Sequence, residues 1–138
     1  MIGKKNIILT FILLFIASLT YGQSQKKCEK IYDVAEKMPE YYKNETGIMN
    51  YISEKLFPII KKYNDKDGSL ISNLYIKLTI DKNGKVIDAT FIKPYLTTEC
   101  KIELKKKLLE MKGWKPAQIK GQNVCAYYLI PISCIKWQ

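Results

Sequence analysis

A chain of 138 residues with 47% hydrophobic and 26% charged residues has the make-up of one globular domain, not of a disordered segment. It contains no His, which excludes Ser-His and Cys-His catalytic dyads. Its net charge is +10, carried entirely by Lys without a single Arg; Arg is the better bidentate reader of phosphate and bases, and the lysines are spread out, so the charge reads as a solvated surface and not as a nucleic-acid site.

The first elements concern targeting. Lys4 and Lys5 precede the apolar run from Asn6 to Leu19, and Thr20-Tyr21-Gly22 then supplies small residues at the −3 and −1 positions of a cut before Gln23. That order is the pattern of a secretory signal peptide. The run is shorter than the roughly 20 apolar residues that span a bilayer, so the expectation is an exported protein, periplasmic or secreted, with an uncleaved inner-membrane anchor as the alternative. The expected organisation is a signal peptide over 1–22, a polar lead-in over 23–30 and one domain over 31–138.

Ile31 to Val34 reads as a short strand. From Asn44, which can cap a helix, Ile48, Tyr51, Ile52, Lys55 and Leu56 fall at helical spacing and make an amphipathic stripe; Pro58 is expected to end or kink it. Asn64 to Gly68 is a loop signal. Leu70 to Ile80 alternates as a half-buried strand, Asp81 to Lys85 is a hairpin loop with Gly84 at a positive φ, and Val86 to Lys93 returns. Thr97 or Thr98 caps a second helix whose apolar face is Cys100, Leu104, Leu108 and Met111, and Gly113 stops it. A turn at Lys120-Gly121 leads into a last strand from Val124 to Cys134, with Val124, Ala126, Tyr128, Ile130, Ile132 and Cys134 on one face. This order predicts an α+β fold: a small antiparallel sheet, the hairpin plus the C-terminal strand, with two helices packed on one face.

Chemistry is sparse. Acidic residues are scattered among turns and helix starts. Asp65-Lys66-Asp67-Gly68 lacks the spacing and terminal Glu of a calcium loop, and there is no phosphate-cradling glycine loop. Without His or a CxxC pair a zinc site is not expected. No catalytic residue, metal or cofactor is expected, and the protein is read as a non-enzyme. Four cysteines, Cys28, Cys100, Cys125 and Cys134, permit two disulfides in an exported protein.

Several segments in order carry a resemblance: Tyr32 to Glu40, the hairpin Ile80 to Asp88, Met111 to Ala117 with its Trp114-Lys115-Pro116, Gly121 to Val124, and Leu129-Ile130-Pro131-Ile132. Together they resemble the TonB C-terminal domain in its Bacteroidetes form, over about Tyr32 to Ser133. The resemblance implies a sheet flanked by helices and the capture of an extended receptor peptide by strand addition, linked to outer-membrane transport. Two features differ from that family. Only about ten residues, none of them Pro, separate the apolar run from the domain, and Tyr41-Tyr42-Lys43 stands where a Pro-Gly-Gly-like turn is usual. The expected partner is a protein or peptide of the cell envelope, such as an outer-membrane receptor; the alternative is a self-associating domain, a homodimer, with no energy-coupling role.

Two placements follow from the residues. Cys100 and Cys134 face the same side at neighbouring ends of the second helix and last strand, and are expected to lie close enough to pair; the leftover Cys28 and Cys125 are not expected to. Pro131 has no N–H to give a ladder, so its strand belongs at an edge or bulge. The strand from Val124 to Ser133 contains no charge, although exposed edges are normally blocked by charge, and Tyr127-Tyr128-Leu129-Ile130 is rich in strand-favouring side chains. Val124, Ala126, Tyr127, Tyr128, Leu129, Ile130 and Pro131 are therefore the candidate binding residues. The edge is expected to be covered by a partner strand, by a second copy, or by the protein's own Ile31 to Val34.

Overall fold

The computed structural model describes residues 28–64, 74–92 and 96–132. The segment read above as a signal peptide, Cys134 and the loop expected after Asn64 lie outside these residues. In chain order the elements are β1 (Ile31–Tyr32), β2 (Glu40–Tyr41), α1 (Asn44–Tyr51), a π-helical turn (Ile52–Leu56), α2 (Phe57–Asn64), β3 (Leu74–Ile80), β4 (Val86–Ile92), α3 (Thr98–Leu109), β5 (Trp114–Lys115), β6 (Ala117–Ile119) and β7 (Gln122–Ile132). The fold is α+β, with helices against a small sheet.

Alternation in β3 decides which face is buried. Leu74, Ile76, Leu78 and Ile80 are inaccessible, while Tyr75 and Lys77 between them are partly exposed. The inward face meets Ile48, Ile52, Leu56 and Ile60 from the first helical segment and Cys100, Leu104 and Leu108 from α3. The four-residue spacing of both stripes is what places each on one side of its helix.

Pro58 does not end the first helix. α1 continues through the π turn into α2, to Asn64. Proline removes one ladder N–H and crowds the carbonyl four residues back. That residue is Glu54, inside the π turn; the wider turn accommodates the ring where a regular helix would break. The cap at the start also differs from expectation. Asn44 is the first helical residue, at φ 55°, a left-handed angle that Asn tolerates, and its Oδ1 accepts from the Thr46 N–H at 3.0 Å.

The second helix follows its sequence closely. Thr97 Oγ1 accepts from the Cys100 N–H at 3.3 Å. α3 is tied to the first helical segment at two points: Tyr51 Oη donates to the Lys107 carbonyl at 2.6 Å, and Lys62 Nζ and Tyr63 Oη donate to Glu103 at 2.7 and 2.8 Å. Those two donors hold the Glu103 carboxyl below the usual carboxylate range. This tie is present at neutral pH and fades as pH falls through the lowered pKa; with the Lys62 and Glu103 side chains substantially exposed, it is a minor contributor.

The two sequence segments most responsible for the family resemblance touch each other. In the β3–β4 hairpin, Asp81 Oδ1 accepts from the N–H groups of Asn83 and Lys85 at 2.8 and 2.9 Å. Gly84 sits at φ 77°, and a Cβ there would lie 2.0 Å from the Trp114 carbonyl oxygen. Gly84→Ala therefore meets both a left-handed backbone angle and a backbone clash, and is expected to cost about 2 kcal/mol or more in urea unfolding. A loss under about 0.5 kcal/mol would show that hairpin and Trp114 are not in contact.

β7 pairs antiparallel with β3 from Leu74↔Ile132 to Ile80↔Ala126, and β3 pairs with β4, so the order is β1-β7-β3-β4 with β6 also on β7. β6 and β7 form a tight hairpin in which Lys120 and Gly121 take φ 51° and 73°, the double positive φ that a two-residue hairpin turn requires.

Candidate functional site

The backbone of β7 is paired in steps along its length. Gln122 to Val124 pair with β6. Cys125 and Ala126 pair in parallel with Ile31 and Tyr32 of β1. From Tyr127 to Ile132 no strand lies on the side away from β3 among the described residues. The expected edge from Val124 is thus corrected: Val124 and Ala126 are already paired, and the open stretch begins at Tyr127. The protein's own N-terminal strand does cover the edge, but for two residues only, because the chain leaves β7 after Tyr32 and turns away toward β2.

The disulfide expectation is also corrected. The bond joins Cys28 to Cys125, with Cα atoms 6.1 Å apart, and Cys100 is a buried free thiol whose pKa burial pushes up. The physical reason is parity combined with register. Cys125 points away from the face that carries Ala126, Ile130 and Ile132, and the parallel pairing of β1 with β7 delivers Cys28 to the same place. Cys28, Lys77, Thr79 and Tyr127 share a cleft on the helix-free face of the sheet.

Along the open stretch, alternate side chains go to opposite faces. On the helix side, Tyr128 and Ile130 line a groove of about 210 Å³ together with Glu45, Ile48 and Met49 of α1, and the adjoining Pro131 also borders it. Behind it stands an aromatic cluster: the Tyr128 ring centre lies 4.8 Å from that of Trp114, which is itself 5.1 Å from Tyr41. Burial, then the nearby Glu45 charge, push the Tyr128 pKa up, so its hydroxyl stays protonated at neutral pH. On the other face, Tyr127 and Leu129 line a second cleft with Asp33, Met38, Lys77 and Ile92. Lys77 Nζ sits 3.7 Å from the centre of the Tyr127 ring, a cation–π contact. Leu129 is 52% exposed.

An unpaired strand edge has N–H and C=O groups ready to pair, and side-chain grooves on both faces give an added strand something to be selected by. The arrangement therefore offers recognition of an extended backbone. Among the described residues no three His, Cys, Asp or Glu side chains come together as a metal site would need, and no helix is long and apolar enough to cross a membrane. The groove walls contributed by α1, and the role of Lys77, were not legible in the sequence, because both depend on which elements flank β7. Comparison with family models, with curated proteins and with solved structures finds no match for this chain.

Proposed function

We propose that this is an exported binding module of the cell envelope that captures an extended segment of a protein partner by strand addition to β7, in the manner of the TonB C-terminal domain that its sequence resembles. The observation that supports the reading is the edge from Tyr127 to Ile132: six uncharged residues, unpaired on one side among the described residues and grooved on both faces. Backbone hydrogen bonds supply affinity; Tyr128 and Ile130 on one face, Tyr127 and Leu129 on the other, supply selectivity. A receptor segment at the outer membrane is the partner that the family resemblance suggests.

The second reading is self-association through the same edge. The absence of any charge on it favours this, since nothing repels a second copy.

Leu129→Lys and Tyr127→Lys place an ammonium against the incoming strand and leave the helix-side core untouched. Either is expected to reduce partner capture from envelope extract at least about tenfold, while circular dichroism stays unchanged. Sedimentation at rising concentration separates the readings: a monomer that gains amide-exchange protection over Tyr127–Ile132 only with extract is a peptide binder, and a dimer that Leu129→Lys dissociates is self-associating. Folded variants with unaltered capture and unaltered mass would remove β7 as the site.

A further inference from the structure

The opposite end of the sheet has a different chemistry. β4 pairs with β3 on one side and with no strand on the other among the described residues. Here the edge is not bare. α3 runs beside it, and Ala89 and Phe91 of β4 with Lys101, Ile102 and Lys105 of α3 line an open cleft of about 320 Å³. The positions follow from helical periodicity. With Cys100, Leu104 and Leu108 turned to the core, residues 101 and 105 fall on the flank of α3 above β4 and residue 102 further out. Ile102 is 64% exposed, a large apolar side chain standing at the lip of a groove with an apolar floor.

The two lysines are in different states. Lys105 Nζ lies 2.5 Å from Asp88 Oδ1, so it already takes a carboxylate offered from β4. Lys101, one turn earlier, makes no ion pair among the described residues. Lysines beside an edge normally guard it against indiscriminate pairing. A guard of one sign is also a filter: it opposes basic strands and favours acidic ones.

We propose that this cleft is a second recognition surface, which takes an extended acidic peptide segment. Its backbone runs along the open side of β4, one carboxylate meets the Lys101 ammonium, and an apolar neighbour two residues on packs against Ile102 and Phe91. Charge complementarity selects this occupant, and the N–H and C=O groups on the open side of β4, which a peptide backbone can pair and a lipid surface cannot match in register, favour a peptide over an anionic membrane.

The test uses the protein purified from its host and a fluorescent ten-residue peptide of alternating Glu and Val. Binding is expected, with amide exchange slowed over Ile87–Ile92 and not over Tyr127–Ile132. Lys101→Glu is expected to weaken it about tenfold, raising salt to weaken it further, and Leu129→Lys on β7 to leave it alone. The same peptide N-methylated at alternate residues, which cannot pair with an edge, is expected not to bind. Equal binding by the Lys101→Glu variant, exchange protection absent from β4, binding of the methylated peptide, or binding of phosphatidylglycerol vesicles in place of the peptide would each overturn the proposal. Because the readouts lie on β4 and α3, failure here leaves strand addition at β7 standing, and the reverse holds as well.

Discussion

Trp114→Ala is expected to lower the free energy of unfolding by about 3–5 kcal/mol, the range for deleting a large buried aromatic side chain. Three parts of the structure meet on this residue. Its ring, 5% exposed, is wedged between Tyr41 and Tyr128 at 5.1 and 4.8 Å. Its backbone pairs with Tyr41, and its carbonyl oxygen faces Gly84 in the hairpin. Deletion of the ring opens a cavity under Tyr128, and so under the helix-side wall of the proposed β7 site. Trp114→Phe distinguishes packing from polarity. The indole Nε1 is buried without a hydrogen-bond partner among the described residues, a liability of about 1–3 kcal/mol, whereas the aromatic contacts contribute about 0.5–1.5 kcal/mol beyond area. Phe keeps the contacts and removes the orphan donor, so its loss is expected to be well below that of Ala. Urea unfolding followed by far-UV circular dichroism measures both. An Ala variant within about 1 kcal/mol of the parent would show that the ring does not hold these parts together.

Reducing Cys28–Cys125, or replacing both cysteines by Ser, is expected to destabilise the domain by about 2–5 kcal/mol. The bond joins residues 97 apart in sequence, and closing a loop of that size restricts the unfolded chain by close to the upper end of the range in the chain-entropy account. The local consequence follows from how little else holds β1. It is two residues long, Ile31 and Tyr32 are only partly buried, and it pairs at Cys125 and Ala126 alone. Without the disulfide, β1 is expected to leave before the rest of the sheet opens, extending the free edge of β7 from Tyr127 down to Cys125. Amide exchange should rise first at Cys125 and Ala126. Alkylation of the reduced, folded protein should mark Cys28 and Cys125 while sparing the buried Cys100. An unchanged unfolding midpoint after complete reduction would sink the argument.

Much of this molecule is local, and what is local could be read directly. The Asp81–Lys85 turn, the alternation of β3, the cap at Thr97, the apolar stripe of α3, the positive φ at Gly84, the helix stop at Gly113 and the turn at Lys120-Gly121 all depend on a residue and its neighbours within about four positions. Sequence carries those preferences as side-chain period, cap chemistry and glycine placement. The edge character at Pro131 was legible for the same reason, since a missing N–H is a property of one residue.

The tertiary structure decided which strands are neighbours. A two-residue strand such as β1 is too short to show a period, and its parallel pairing with β7 reaches across more than ninety residues, so the sequence offered it only as one of three possible covers for the edge and gave no register. That pairing occupied Cys125 and Ala126, beyond the β6 pairing that ends at Val124, and gave Cys125 its partner Cys28 while Cys100 stayed a buried thiol. The π turn before Pro58 was hidden likewise: whether a proline ends a helix or is absorbed depends on how firmly the flanking turns are held by packing, and Ile48, Ile52, Leu56 and Ile60 are all held in one core. Local propensity fixes what an element can be, but burial against distant residues fixes where it ends and what lies beside it.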